Sequence, residues 1–384
     1  MHLGGLDMRL TRIRLGDFIE RSTQNNKDLE YGTDLIVGVN SQGVFAISKG
    51  NTDGVDLKPY KIVNNGAFVY NPTRLELGSI AYRTEGLCIV SHLYMVFYLT
   101  DEGKKIIDPM WLYIYFRRAE FCREVTFRNF GSQRPEFNFN DMSDIIVSLP
   151  DIGIQRKYVK IYNAMLANQQ SYECGLEDLK LVCDAYIEDL RRKIPCEAIG
   201  AYIEEFNQRN EIGLTLDSVR GIATSKEFIE TKANMDGVAL DNYKIVEPGM
   251  IAFISDTSRR ADKMSLALNQ SEEAYLVSSI ASVIKTNNSK LLSKYLFLFF
   301  CRTEFDRYTR FHSWGSARET FSFEDMKNVS LPIPNLEIQK SIVEIHEAYV
   351  TRKDINEKLK AQIKDICPIL IKGSIEETRK TEEA

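Results

Sequence analysis

Between residues 338 and 370 the chain places Ile338, Ile342, Ile345, Tyr349, Arg352, Asn356, Leu359, Ile363, Ile366 and Leu370 at alternating steps of four and three. Such steps keep returning to one face of a helix and form the heptad seam of a coiled coil. Arg352 and Asn356 interrupt that seam with polar side chains near its middle. An earlier stretch repeats the pattern with Ile154, Tyr158, Ile161, Met165, Asn168, Tyr172, Leu176, Leu179, Cys183, Tyr186 and Leu190. Gly175 weakens this helix by about 1 kcal/mol relative to Ala without ending it. Each stripe follows a Pro and a helix-capping residue, Pro150-Asp151 and Pro334-Asn335, which is a start signal. Pro368 is expected to end or kink the second helix. One stripe alone is equally well an amphipathic helix packed on its own domain. Two matched stripes favour pairing with each other, and a helix of about 38 residues spans about 55 Å.

The segments before the stripes have a different period. VNNGAFVY (63–70) and VEPGMIAFI (246–254) are rich in β-branched and aromatic residues around turn signals, a strand pattern. Shorter helical stretches follow near 109–124 and 290–308. The likeness between the two halves is a repeat. FGSQRPEFNFNDM (130–142) returns as WGSARETFSFEDM (314–326), an offset of 184 residues. At that offset Arg118 falls on Arg302, Arg123 on Arg307, Phe127 on Phe311 and Gln155 on Gln339. At offset 183 Tyr60-Lys-Ile-Val63 matches Tyr243-Lys-Ile-Val246. Two copies therefore span about 15–198 and 199–382. The fold expected is α/β of the α+β kind. A first domain occupies 1–150, a central spacer helix 151–194, a second domain 195–334, and a C-terminal helix with a tail 335–384. Copies related by an approximate two-fold axis would set 151–194 against 335–367 as an antiparallel coiled coil separating the domains.

Composition narrows the class. The best apolar run, Tyr295 to Phe300, is far too short to cross a bilayer. Met1 to Asp7 has no cleavable signal pattern, so a cytoplasmic protein is expected. The 7 cysteines include no C-x-x-C pair and the 4 histidines have no metal-like spacing, so a reduced, metal-free chain is expected. A net charge of −5 is unfavourable for a polyanion binder, which needs clustered Lys and Arg. Locally the balance inverts. Residues 111–135 hold five Arg against Glu120 and Glu124, and 294–318 hold Lys294 and four Arg against Glu304 and Asp306, +3 in each case. Aromatics interleave both stretches: Tyr113, Tyr115, Phe116, Phe121 and Phe127, then Phe297, Phe300, Phe305, Tyr308 and Phe311. These are expected in the core, with the Arg facing outward.

The run YKIVNNGAFVYNPTRLELGSIAY (60–82), with IVSHLYMVF (89–97), resembles the target-recognition domains of type I restriction–modification specificity subunits. So does the closing stretch FRNFGSQRPEFNFNDMSDIIVSLPDIGIQRKYV (127–159), which the second copy keeps at 311–343. The copies part in the middle, where ISDTSRRADKMSL (254–266) replaces YNPTRLELGSI (70–80). That is expected if they read different DNA sequences. The resemblance covers essentially the whole chain. It implies a non-catalytic subunit in which each domain reads one half of a split target in double-stranded DNA. It also implies paired helices that set the distance between halves and dock two adenine methyltransferase subunits. Restriction (motor-nuclease) subunits can join. No cofactor is then expected on this chain, and S-adenosylmethionine, ATP and Mg belong to the partners.

The candidate DNA contacts follow from charge and from divergence. Arg118, Arg123, Arg302 and Arg307 are candidate phosphate contacts, which position a protein without specifying sequence. A structural ion pair competes for Arg118 and Arg302, each with a Glu two residues on. The loops carrying Ser132 and Arg134, and Ser316 and Arg318, are either phosphate-binding or simple tight turns. Base readers are expected where the copies differ: Asn71, Thr73, Arg74 and Arg83 in the first, and Asp256, Ser258, Arg259 and Arg260 in the second. Arg reads guanine and Asn adenine in the major groove. Asn71-Pro72-Thr73 falls short of an adenine methyltransferase Asn-Pro-Pro-aromatic site, and no phosphate-binding loop or catalytic constellation occurs. Two rival functions remain. One is a self-contained methyltransferase or nuclease with degenerate motifs; the other is a stand-alone DNA-binding scaffold or repressor.

Overall fold

The computed structural model describes residues 10–47, 54–129, 136–231, 233–235, 237–257, 263–315 and 319–382. The chain divides into two compact units, Met1–Tyr172 with Ile355–Ala384, and Glu173–Asp354.

The first unit begins with β1 (Thr11–Arg14), β2 (Ile19–Arg21), β3 (Val37–Val39), β4 (Phe45–Ile47) and β5 (Lys61–Val63). Then come β6 (Phe68–Tyr70), β7 (Ile80–Tyr82), β8 (Cys88–Val90) and β9 (Met95–Leu99). Helices α1 (Asp101–Ile106), α2 (Pro109–Phe116), α3 (Ala119–Arg128) and α4 (Phe139–Ser143) precede β10 (Ile146–Leu149) and the long α5 (Ile152–Lys193). The main sheet has the order β2-β9-β6-β7, and β1-β10, β3-β4 and β5-β8 form small pairs. All these pairings are antiparallel. Phe68 and Phe97 stack across β6 and β9 with ring centroids 5.1 Å apart, and Phe116 of α2 meets Phe68 edge-on at 5.9 Å. Helix α2 is apolar along most of its length and six of its residues are buried, as expected of a helix inside a core. Asp108 starts it by accepting from the backbone N–H groups of Met110 and Trp111, with Pro109 in the first turn.

The second unit repeats this plan. Its strands are β11 (Cys196–Ala198), β12 (Ile203–Glu205), β13 (Arg220–Ile222), β14 (Phe228–Glu230) and β15 (Lys244–Val246). They continue as β16 (Ile251–Ile254), β17 (Leu266–Leu268), β18 (Tyr275–Val277) and β19 (Ala281–Thr286). Helices α6 (Ser293–Phe300), α7 (Thr303–Phe311) and α8 (Phe323–Lys327) and strand β20 (Ser330–Pro332) follow, and the long α9 (Leu336–Glu382) begins here and passes into the first unit at Ile355. The main sheet β12-β19-β16-β17 and the pairs β11-β20, β13-β14 and β15-β18 match the first unit pairing for pairing. The sequence repeat is thus a repeat of topology.

One buried side chain per copy ties each long helix to its domain. Gln155 Oε1 accepts from Asp108 N at 2.9 Å while its Nε2 donates to Ile106 O and Pro150 O at 2.8 and 2.7 Å. Gln339 does the same with Leu292 N, Lys290 O and Pro334 O, at 2.9, 2.8 and 2.8 Å.

Within each unit the two long helices touch, and they run antiparallel. In the first unit Lys157 and Tyr158 meet Glu377, and Gln169 Nε2 donates to Asn356 Oδ1 at 3.0 Å. In the second, the side chain of Arg352 lies over Gly175, and Ile187 and Leu190 share a core with Ile342 and Val343. Two expectations need correction. Ile161 and Asn168 were expected on the seam of α5 but are exposed, and Tyr162 and Gln169 are buried instead. The seam there is shifted by one residue because the Tyr162 ring packs beside Tyr113, with centroids 6.4 Å apart. Pro368 does not end α9, which continues to Glu382. Beyond the proline, Leu370 and Ile371 enter the first core and Ser374 Oγ accepts from Trp111 Nε1 at 3.1 Å. That packing outweighs one missing backbone bond. Among the described residues no helix is long and apolar enough to cross a membrane.

Candidate nucleic-acid interface

The stretch in which the two copies diverge begins at the end of a main-sheet strand in each. After β6, Asn71 Oδ1 accepts from Thr73 N and Thr73 Oγ1 at 3.1 and 3.0 Å. This side-chain turn leaves Thr73 and Arg74 exposed. A one-turn helix at Leu75–Leu77 follows, and α3 packs on it. The segment closing the copy returns to the same place, where Phe137 N donates to Pro72 O at 3.0 Å. The second copy builds an equivalent junction after β16. Thr257 N donates to Glu319 O at 3.0 Å, Phe321 N to Ser255 O at 2.9 Å, and Asp256 bridges to Thr320. In each copy the divergent turn and the shared closing segment are therefore bonded side by side.

A hairpin beside each junction is pinned by one cation, supplied from opposite sides in the two copies. In the first, Arg117 at the end of α2 donates to Gly78 O and to Ser41 O of the β3–β4 hairpin. In the second, Lys226 of the β13–β14 hairpin reaches Asp306 of α7, with Nζ and Oδ1 2.5 Å apart. Asp306 also accepts from Met264 N at 3.0 Å. Burial pushes the Lys226 pKa down, and Asp306 works against that shift. Lys226 has a φ of +69°, and Gly43, the matching residue of the first hairpin, has +78°.

The sequence-predicted contacts separate into groups. Asn71, Thr73 and Arg74 cluster at the first junction, although the Asn71 carbonyl is occupied by its own turn. Arg83 sits 5.2 Å from the centre of the Phe45 ring and donates to Leu87 O, facing its own domain. Arg118 sits over the Tyr115 ring, 3.8 Å from its centre, and donates to Tyr115 O at 3.0 Å. The Arg302 side chain is only 10% exposed and meets Glu188 at 2.9 Å, Glu304 at 3.5 Å and Asp184 at 3.8 Å. The ion pair weighed against DNA contact is thus the geometry Arg302 adopts, and it binds α7 to α5. Arg123 points outward beside Glu120 at the rim of a cavity of about 460 Å³, lined also by Arg117 and Lys364. Arg307 is exposed and makes no ion pair among the described residues. Ser132, Arg134, Ser258, Arg259, Arg260, Ser316 and Arg318 lie outside the described residues.

Most of the interleaved aromatics are buried as expected and Tyr308 is half-buried, but two stand exposed. Phe127 is 83% exposed and Phe311 75% exposed. The signal was available on a helical wheel: Phe121 and Val125 are the buried positions of α3, and residue 127 lies about 200° round from 125. Buried thiols offer no nucleophile, since burial pushes Cys367 up to about 11 and Cys301 up to about 12.

The family model for the type I restriction modification DNA specificity domain matches residues 11–173 and 214–365, one stretch in each copy. The chain belongs to this family. Its role is the family's: it supplies DNA sequence specificity in a type I restriction–modification system. No curated relative matches the sequence. Among solved structures, the type I S subunit from M. genitalium is 11% identical with a TM-score of 0.53, over 98% of each chain. The HsdS subunit from Thermoanaerobacter tengcongensis is 15% identical with a TM-score of 0.42, over 98% of this chain and 99% of that one. The M. genitalium likeness supports the fold.

Proposed function

We propose that the chain reads a bipartite sequence in duplex DNA, one half with each copy. Recognition domains at 1–150 and 195–334 are joined by spacer helices at 151–194 and 335–384, which set the unread gap and dock two methyltransferase subunits. Restriction subunits join the same assembly in the cytoplasm. The chain has no catalytic step of its own, and S-adenosylmethionine, ATP and Mg act on its partners. Asn71, Thr73 and Arg74 read bases in the first half, and Arg259 and Arg260 in the second. Arg123 and Arg307, with Ser132, Arg134, Ser316 and Arg318, hold phosphates. Arg83, Arg118 and Arg302 serve their own domains.

The observation that carries this reading is the paired junction. A divergent turn bonded to a shared closing segment recurs in both copies, which suits one binding mode applied to two sequences. The test is methylation by the purified chain with and without a methyltransferase subunit. Adenine methylation at a split sequence is expected only when both are present. Methyl transfer from S-adenosylmethionine to DNA by this polypeptide alone would overturn the proposal.

A further inference from the structure

A single exposed aromatic on a protein surface is ordinary and needs no partner. Phe127 and Phe311 are different because they are the same position of the repeat, and both stand out of the surface, at 83% and 75% exposure. Each lies four residues after an exposed arginine, Arg123 in α3 and Arg307 in α7. Residues four apart share a helix face, so each copy presents one cation and one phenyl ring side by side. The faces opposite are buried, through Phe121 and Val125 in α3 and Phe305 and Thr309 in α7. Burial of the rest of each helix therefore holds these two side chains outward. Beyond Phe311, Trp314 is also exposed, and its backbone pairs with Thr320 at the second junction.

What covers such a face must be common to both copies, because the Arg-x-x-x-Phe pattern survives where the neighbouring turns have diverged. Two partners meet that condition, duplex DNA and a methyltransferase subunit. Charge decides between them. Of the cations in these two stretches Arg117, Arg118 and Arg302 turn to their own domain. Arg123 and Arg307 stay exposed on this face, and an outward cation repeated in both copies of a chain of net −5 fits a polyanion. Position agrees, since α3 packs on the Leu75–Leu77 turn that follows the divergent residues.

We propose that Phe127 and Phe311 are apolar DNA contacts. Each ring lies against deoxyribose and base edges while the arginine one turn before it holds the adjacent phosphate. This rests on the DNA-reading function proposed above. The test uses the assembled methyltransferase complex and a duplex carrying its mapped target, titrated at several salt concentrations. Phe127→Ala and Phe311→Ala should each weaken binding about tenfold, as lost apolar burial implies, with the slope of log affinity against log salt unchanged. Arg123→Ala and Arg307→Ala should instead make that slope shallower by about one unit each. Phe127→Trp should keep near-normal affinity, and thermal melting should be unaltered in all of these variants. Normal DNA affinity in the alanine variants would overturn the proposal. So would a loss that traces to weaker assembly with the methyltransferase subunit, because the face would then bind protein. A wild-type complex that shows no preference for any split sequence would instead sink the function on which the proposal rests.

Discussion

Gln155 and Gln339 each bind two carbonyls and one amide that belong to their own domain. A buried group that loses its partner costs about 1–3 kcal/mol, so Gln155→Leu or Gln339→Leu should lower unfolding stability by about 3 kcal/mol. Chemical denaturation would check this, and a loss below about 1 kcal/mol would mean the network is dispensable. The repeat showed that Gln recurs at this position, but its task was not legible, since partners such as Ile106 and Lys290 lie 49 residues upstream. The arginines make the same point. Composition cannot tell Arg302 from Arg307, yet one is a buried clamp on Glu188 and the other is exposed. Arg302→Ala should therefore destabilise the second unit by only about 1 kcal/mol, because its three carboxylate partners stay about half exposed, and leave the salt dependence of DNA binding alone. Unchanged melting in Arg302→Ala would remove its structural role.

The long helices were largely legible as elements, because a seam of heptads leaves its period in the sequence. Their ends and facing were less so, as Pro368 and the shift from Ile161 to Tyr162 show. Packing on the first domain decided both, and where the helices cross closely two glycines mark the place. A methyl group at residue 373 would stand 2.8 Å from the Tyr158 ring, and one at 175 would stand 2.8 Å from the Arg352 guanidinium. The half-buried Tyr158 ring, tied through its hydroxyl to Glu377, has less room to withdraw than the flexible end of an arginine. Gly373→Ala should cost about 1–3 kcal/mol through overpacking, while Gly175→Ala should be neutral or gain up to about 1 kcal/mol of helix propensity. Equal effects at the two sites, read from denaturation curves, would refute the crossing argument.

Acid should loosen these helices in two stages. Burial lowers the His346 pKa below its ordinary 6.5. The unfolded chain then binds the proton first, and stability falls as pH drops below 6.5 towards the lower folded value. Glu188, bonded to Arg302, and Glu377, bonded to Lys157, are both held below the usual 4.5. Their contribution is present above pH 4.5 and is lost as pH falls through their folded values. A pH series of melting temperatures should show both stages, with His346→Gln removing only the first.

At the scale of the whole molecule, the two-copy plan was legible because duplication leaves matched residues in order, and the copies share their topology strand for strand. The proposed base readers were less legible because they lie in the part the copies do not share, where one copy is no check on the other. That division gives the last prediction. If each copy reads its own half, exchanging residues 199–334 for the equivalent domain of another family member should change one half of the methylated sequence and leave the other intact. The gap should answer to a different change. Seven residues inserted at facing positions in both long helices add about 10 Å, close to the rise of 3 base pairs. The unread spacer should lengthen by about that amount while both half-sequences stay the same. Methylome sequencing of cells carrying each variant with its methyltransferase subunit reads both outcomes directly. A domain exchange that alters both halves would show that the copies read jointly. An insertion that abolishes methylation in a folded, assembled complex, with no new spacer appearing, would show that the helices do not set the gap.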